Sequence, residues 1–269
     1  MTSHDPTRTK TRRERWVGNL NRRWRRVRGA VRSEIQDGDR FRISPLTPDN
    51  WDNSEVRFAL ENWIRRKIDE EVIETTRRRS VASGRHWTAS NVRDAYEAGL
   101  KRADYHLRNS EKYTVPDVSP EAAITREKHR RELGRSYTAV YQDLQAVANA
   151  SVTEVLREID EALQGRRPSR RQIAESINDR IDAVGQTRSE AVSHTRTVEA
   201  ANNAALNRYE SAGVEEVGVD PEVEFTTAGD ERVCPLCRGL EGNRYSLEEA
   251  VGVIPGETHP RCRCLFVPV

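Results

Sequence analysis

The sequence predicts a mainly α-helical protein with a small C-terminal α+β module stapled by a metal, the helices forming an elongated body. Three observations carry this. Apolar residues step by three and four along most of the chain up to Gly213. A period of two appears only after that point. All four cysteines lie between positions 234 and 264. Of the 269 residues, 35% are hydrophobic and 33% are charged, an apolar share below that of a compact globular domain. Helices with narrow apolar stripes give such a composition, and so do faces hidden by contacts between chains. A loosely packed helical domain would give it too.

The elements follow in order. Residues 1–8 read as disordered. From about 9 to 36, Trp16, Leu20, Trp24, Val27, Val31 and Ile35 form one helical stripe. Residues 44–52 read as a loop. A second helix is predicted over 53–79, with Val56, Leu60, Trp63, Ile64, Ile68, Val72 and Ile73 inward. Ser80 to Arg85 breaks the pattern. A third helix starts near Thr88 and buries Val92, Tyr96, Leu100, Ala103 and Leu107. Ser119 caps the longest stretch, with Pro120 in its first turn, where a missing N–H costs little. Unbroken over 121–164, that helix would be about 65 Å long, with Gly134 a point of bending. Gly165 to Pro168 stops it. Ser169 and Gln172 form a capping box, and the following helical pattern, interrupted at Gly185, ends at Gly213. Val217 and Val219, then Val223 and Phe225, alternate like strands, and the run after Cys264 is strand-like again. The segments are a basic amphipathic helix or arm (1–36), a helical region (37–118), a long-helix body (119–213) and a β-rich clip module (214–269).

Two cysteines two residues apart, Cys234 and Cys237, can grip one metal ion, because the turn between them turns both sulfurs inward. His259, Cys262 and Cys264 form a second donor group. Thiolates suit Zn²⁺, whose structural sites are four-coordinate, so five donors compete for four places. The four cysteines are the preferred set, with His259 replacing one of them or hydrogen-bonding the site from outside. Three other readings stay open: a pair of disulfides, reduced buried thiols, and a Cys/His nucleophile pair oriented by Asp230. A catalytic zinc needs an open position, and a surplus of ligands argues against one. A structural ion would supply folding energy to a tail too short for its own core.

The run Asp230 to Gly242, with Cys234-Pro-Leu-Cys237 and Leu-Glu-Gly, followed by His259-Pro-Arg-Cys262-Arg-Cys264 and Val-Pro-Val, resembles the ending of the phage Mu F-like minor head proteins, also called head morphogenesis proteins. Upstream, Arg188 to Asn202, then Tyr209 and Gly213, resembles the family's helix, with Val198 standing between the Thr and the Glu. The resemblance covers the last 80 or so residues. It implies a structural, non-enzymatic virion protein, present in a few copies per particle and acting in head morphogenesis and in DNA packaging or delivery. The partners it implies are the portal protein, the major capsid protein or head interior, and packaged double-stranded DNA. The location it implies is the virion, with the host cytoplasm during assembly.

Net charge is only +2, but the N-terminal helix is basic. Arg22, Arg23, Arg25, Arg26 and Arg28 surround Trp24 and Val27, a pattern that fits salt-dependent phosphate binding or portal contact. The alternative is the solvated face of an ordinary amphipathic helix. The competing function class is a stand-alone zinc-stapled nucleic-acid-binding protein. Against it, residues 238–258 hold only Arg238 and Arg244 as basic side chains, too few for a DNA-reading finger. No phosphate-cradling glycine loop or metalloprotease motif occurs. The chain closes soon after Cys264, so an appended enzyme domain is not expected. No apolar run is long enough for a membrane span, and the N-terminus lacks the apolar core of a secretory signal.

Overall fold

The six apolar positions of the first stripe, from Trp16 to Ile35, are all buried. They lie on α1 (Lys10–Ala30) and on the wide π-helical turn that continues it, Val31–Asp37. The structure is a computed structural model and describes residues 6–41, 51, 54–163, 168–215, 218, 220–254 and 258–269. Of the disorder expected over residues 1–8, the part at 1–5 lies outside the described residues, as do most of the loop at 44–52, the stop at Gly165 and the strand pair Val217/Val219; residues 6–8 are instead ordered, with Thr7 buried and its hydroxyl bonded to that of Thr9 at 2.7 Å. The chain divides into two compact units. One comprises residues 16–77 and 141–190; the other comprises 1–15, 78–140 and 191–269 and contains the cysteines.

In the first unit, α2 (Ser54–Ile68) runs on as a π-helical turn, Asp69–Ile73. The predicted helix over 53–79 therefore ends early. Glu74 turns left-handed at φ 49°, and its N–H reaches the Asp69 carbonyl at 2.6 Å. Arginines of α1 close this end: Arg23 donates to the Glu71 carbonyl at 3.0 Å and Arg26 at 3.4 Å. A cation there meets the negative pole of the helix and its unpaired carbonyls. Of the predicted inward face, Val56 is only half-buried, while Leu60, Trp63, Ile64, Ile68, Val72 and Ile73 are buried.

In the second unit, the break expected at Ser80 to Arg85 is instead the end of a short helix, α3 (Arg78–Ala82), which buries Val81. Gly84, at φ 74°, terminates it and lies against the Tyr137 ring. α4 (Ala89–Arg108) starts after Thr88 and buries the five apolar positions predicted for it. The helix predicted from 121 is split. Ser119 caps α5 (Pro120–Ala123), accepting from the Ala122 N–H at 3.2 Å. Then Thr125 and Arg126 N–H groups bond three residues back, at 3.1 and 3.0 Å, closing a tight turn. α6 (Glu127–Leu163) starts after it, and its 37 residues span about 55 Å.

α7 (Arg170–Glu210) is one helix of 41 residues, extended by a π-helical turn, Ser211–Glu215. The capping box forms as predicted: Gln172 accepts from the Ser169 N–H at 2.9 Å, and Ser169 Oγ from the Gln172 N–H at 3.3 Å. Gly185 does not interrupt α7, nor does Gly134 break α6. Both are points of close approach. A Cβ at Gly185 would sit 2.8 Å from the Trp24 ring, and one at Gly134 would sit 3.0 Å from the Ala82 carbonyl oxygen.

The C-terminal module is a three-stranded antiparallel sheet in the order β2 (Arg244–Ser246), β1 (Glu222–Thr226), β3 (Leu265–Pro268). Val223 pairs with Tyr245 and Pro268, and Phe225 with Phe266. The expected strand at Val223 and Phe225 and the closing strand are thus both present. Two short helices complete it: α8 (Pro235–Leu240) and α9 (Leu247–Ala250). The inner side of the sheet shares one core with α4 and α7. Val223, Phe225 and Phe266 pack in the same cluster as Leu107, Leu206 and Tyr209.

Candidate metal centre

Cys234 is the N-cap of α8. Its extended backbone (φ −69°, ψ 159°) and the proline after it start the helix, and its sulfur accepts from the Cys237 N–H at 3.3 Å. One helical turn thus places both sulfurs on the same side. The second donor group comes from a turn in which the Cys262 N–H bonds the His259 carbonyl at 3.2 Å. Arg261 holds a left-handed conformation there, φ 66°. Cys264 then leads directly into β3. Strand β3 pairs with β1, whose end feeds the loop to Cys234, so the sheet register brings the two donor groups together.

All five predicted donors converge. The donor atoms of Cys234, Cys237 and His259 lie within 4.8 Å of one another, and so do those of Cys237, Cys262 and Cys264. Cys237 belongs to both sets. Its sulfur is 3.3 Å from His259 Nε2 and 3.8 Å from the Cys262 sulfur. A tetrahedral zinc with ordinary Zn–S bonds has sulfurs about 3.8 Å apart, so this edge fits an ion between them. All four cysteines are free thiols. His259 Nδ1 faces the Pro260 carbonyl oxygen at 2.7 Å. An N–H on Nδ1 donates there and leaves the Nε2 lone pair turned to the sulfurs, as in a metal-ligating imidazole.

The electrostatics also fit a cation. Cys237, Cys262 and Cys264 are 1%, 1% and 3% exposed. Burial and the neighbouring sulfur of Cys262 push the Cys237 thiol up to about 12. The hydrogen bond with Cys264 draws Cys262 down to about 5 and pushes Cys264 up in turn. Cys234, more open, is lowered by the Cys237 N–H. Crowded thiolates repel one another when buried, and a divalent ion removes that cost by binding them deprotonated.

Asp230 does not orient the histidine. Its carboxylate is forked by Arg263, Nη1 to Oδ2 at 2.7 Å and Nη2 to Oδ1 at 2.6 Å, which holds it down at about 2. The thiol beside His259, Cys237, is buried and holds its proton more tightly than a free thiol, the opposite of an activated nucleophile. The fork ties the loop before the first donor pair to the segment between the last two cysteines.

Two residues of α7 reach the same strand. The Asn202 side chain donates to the Cys264 carbonyl at 3.2 Å, and the Tyr209 hydroxyl donates to the Phe266 carbonyl at 3.2 Å. They are two turns apart on one helix face, matching alternate carbonyls of the strand. Arg102 fixes Asn202 from the other side, at 2.9 Å. A buried pair, Arg208 to Asp104 at 2.6 Å, also holds the carbonyls of Pro116 and Val118. Periodicity gives no sign of these roles, because the partners are main-chain atoms remote in sequence.

The arginines of α1 are placed differently from a free basic face. Arg23 pairs with Glu74, Arg26 with Glu71 and Arg28 with Asp182, while Arg22 bonds Asn19. Arg22 and Arg25 are exposed.

Fold and site together define a helical protein with a C-terminal Cys/His cluster able to hold a metal ion. Within it, residues 153–267 match the family model described as Phage Mu protein F like protein. This is the family that the terminal motif resembles. The match covers just under half of the chain, including the whole described length of α7 and all five donors. No curated protein and no solved structure matches the chain. Among the described residues, no helix is long and apolar enough to cross a membrane.

Proposed function

We propose that the protein is a structural minor head protein of a tailed virus, associated with the portal, that acts in head morphogenesis and in DNA packaging or delivery. The observation that carries this reading is the family match over residues 153–267, which contains the complete donor cluster. The ion is Zn²⁺, held by four donors from Cys234, Cys237, Cys262, Cys264 and His259, and its role is structural. It fastens β3 to the turn at Cys234 and Cys237. Asn202 and Tyr209 then fasten the same strand to α7. A part held this way fits an assembly component that must keep its shape among large partners.

The test is composition of the particle. Mass spectrometry of purified virions should detect the chain at a few copies per head, and the purified chain should bind the dodecameric portal ring. Particles without the chain, together with no portal binding, would contradict the reading.

A further inference from the structure

The second unit carries a basic groove that the N-terminal helix does not contribute to. It is open, about 720 Å³ in volume, and lies between the α3 turn and the start of α6; Ala82, Ser83, Arg93, Arg130 and Arg131 line it, with Glu127 the single acid. The close approach of Gly134 to the Ala82 carbonyl oxygen and of Gly84 to the Tyr137 ring brings these two segments together. Arg78 and Arg79 stand four residues before the lining residues Ala82 and Ser83, so on α3 they extend the same faces. Arg85 follows in the turn.

In α1, three of the five clustered arginines, Arg23, Arg26 and Arg28, are paired with acids. Arg78, Arg79, Arg85 and Arg130 are exposed and, among the described residues, make no side-chain hydrogen bond or ion pair. Residues 78–88 contain no acidic side chain. Arg131 and Arg93 pair with helix neighbours, Glu127 at 2.6 Å and Glu97 at 3.3 Å, and each of these arginines is more than half exposed, so that water screens the contact. The first turns of α6 add the positive pole of a 37-residue helix. The unpaired Arg130 and the screened Arg93 and Arg131 in the groove, with the unpaired Arg78, Arg79 and Arg85 on the adjoining helix and turn, suit an extended polyanion whose charges repeat, and guanidinium forks match phosphate oxygens.

We propose that this groove, and not the arginine cluster of α1, binds the phosphate backbone of double-stranded DNA without regard to sequence. The choice of DNA rests on the head-protein reading; the site itself does not. Binding releases counterions, one for each phosphate neutralised.

The test uses the full chain and a fluorescent duplex of about 30 base pairs, with affinity read by anisotropy between about 50 and 200 mM salt. One variant carries Arg78→Gln, Arg79→Gln, Arg85→Gln and Arg130→Gln; a second carries Arg22→Gln and Arg25→Gln. The groove variant should lose about tenfold or more in affinity and show a salt slope shallower by up to about 3 to 4, while the α1 variant stays near wild type. Unchanged circular dichroism and melting confirm folding, since exposed, unpaired arginines hold nothing in place. Wild-type affinity in the groove variant overturns the proposal. Binding of polyglutamate but not of DNA also overturns it, in favour of an acidic protein surface. Particle incorporation is measured separately: absence of the chain from heads would sink the head-protein reading and leave the groove untouched.

Discussion

At the scale of single residues, the tail is held by a few polar side chains whose partners are buried main-chain atoms. Arg208 and Asp104 are 3% and 5% exposed as side chains. Removing one partner of a buried pair leaves an uncompensated charge, so Arg208→Ala should cost about 3–5 kcal/mol in denaturant unfolding. Tyr209→Phe, which deletes a single hydrogen bond, should cost about 1 kcal/mol. The Asp230–Arg263 fork makes a pH prediction. The carboxylate titrates near 2 when folded, against an ordinary 3.8. A depressed carboxylate stabilises above its unfolded value and loses that contribution as pH falls through the folded one. The stability gap between wild type and Asp230→Asn should therefore be constant above about pH 4 and close toward pH 2. A gap that widens in acid would contradict the fork. Cysteine spacing made the donors legible in the sequence. The fork was not, because nothing in the spacing of Asp230 and Arg263 marks them as partners.

At the scale of elements, stripes were legible and ends were not. Trp16 to Ile35 and Val92 to Leu107 are buried as their periodicity requires, since a helix with one apolar stripe has one way to hide it. The end of α2 depends on arginines from α1 at the Glu71 carbonyl, a contact no local pattern encodes. The glycines show the same limit. A glycine in a helical pattern reads as a break, yet Gly99 and Gly185 serve close packing. A Cβ on Gly99 would lie 2.1 Å from the Ala201 carbonyl oxygen, whereas Gly18 has nothing within 4 Å. Gly99→Ala should therefore destabilise strongly, by several kcal/mol on the scale of backbone clashes and overpacking, about 1–3 or more. Gly18→Ala should instead stabilise by about 0.4–1 kcal/mol. Thermal melts of the two variants shifting in the same direction would contradict this assignment. The Ser246-x-x-Glu249 spacing is a second capping box. Its bonds start α9, with the Ser246 N–H reaching Glu249 at 2.9 Å.

At the scale of the molecule, the sequence expectation of a tail lacking its own core is sharpened. The sheet shares apolar contacts with α4 and α7, so an ion bound at the cysteines would be a second fastening, not the sole one. Removal of the metal should then loosen the tail and leave the helices folded. The most direct measurement pairs metal analysis with hydrogen exchange. The purified chain should contain one zinc per molecule, and chelation should raise exchange at β1, β3 and residues 234–240 while α1 and the start of α7 keep their protection. A metal-free chain with four free thiols and a fully protected tail would contradict the metal-stapled reading.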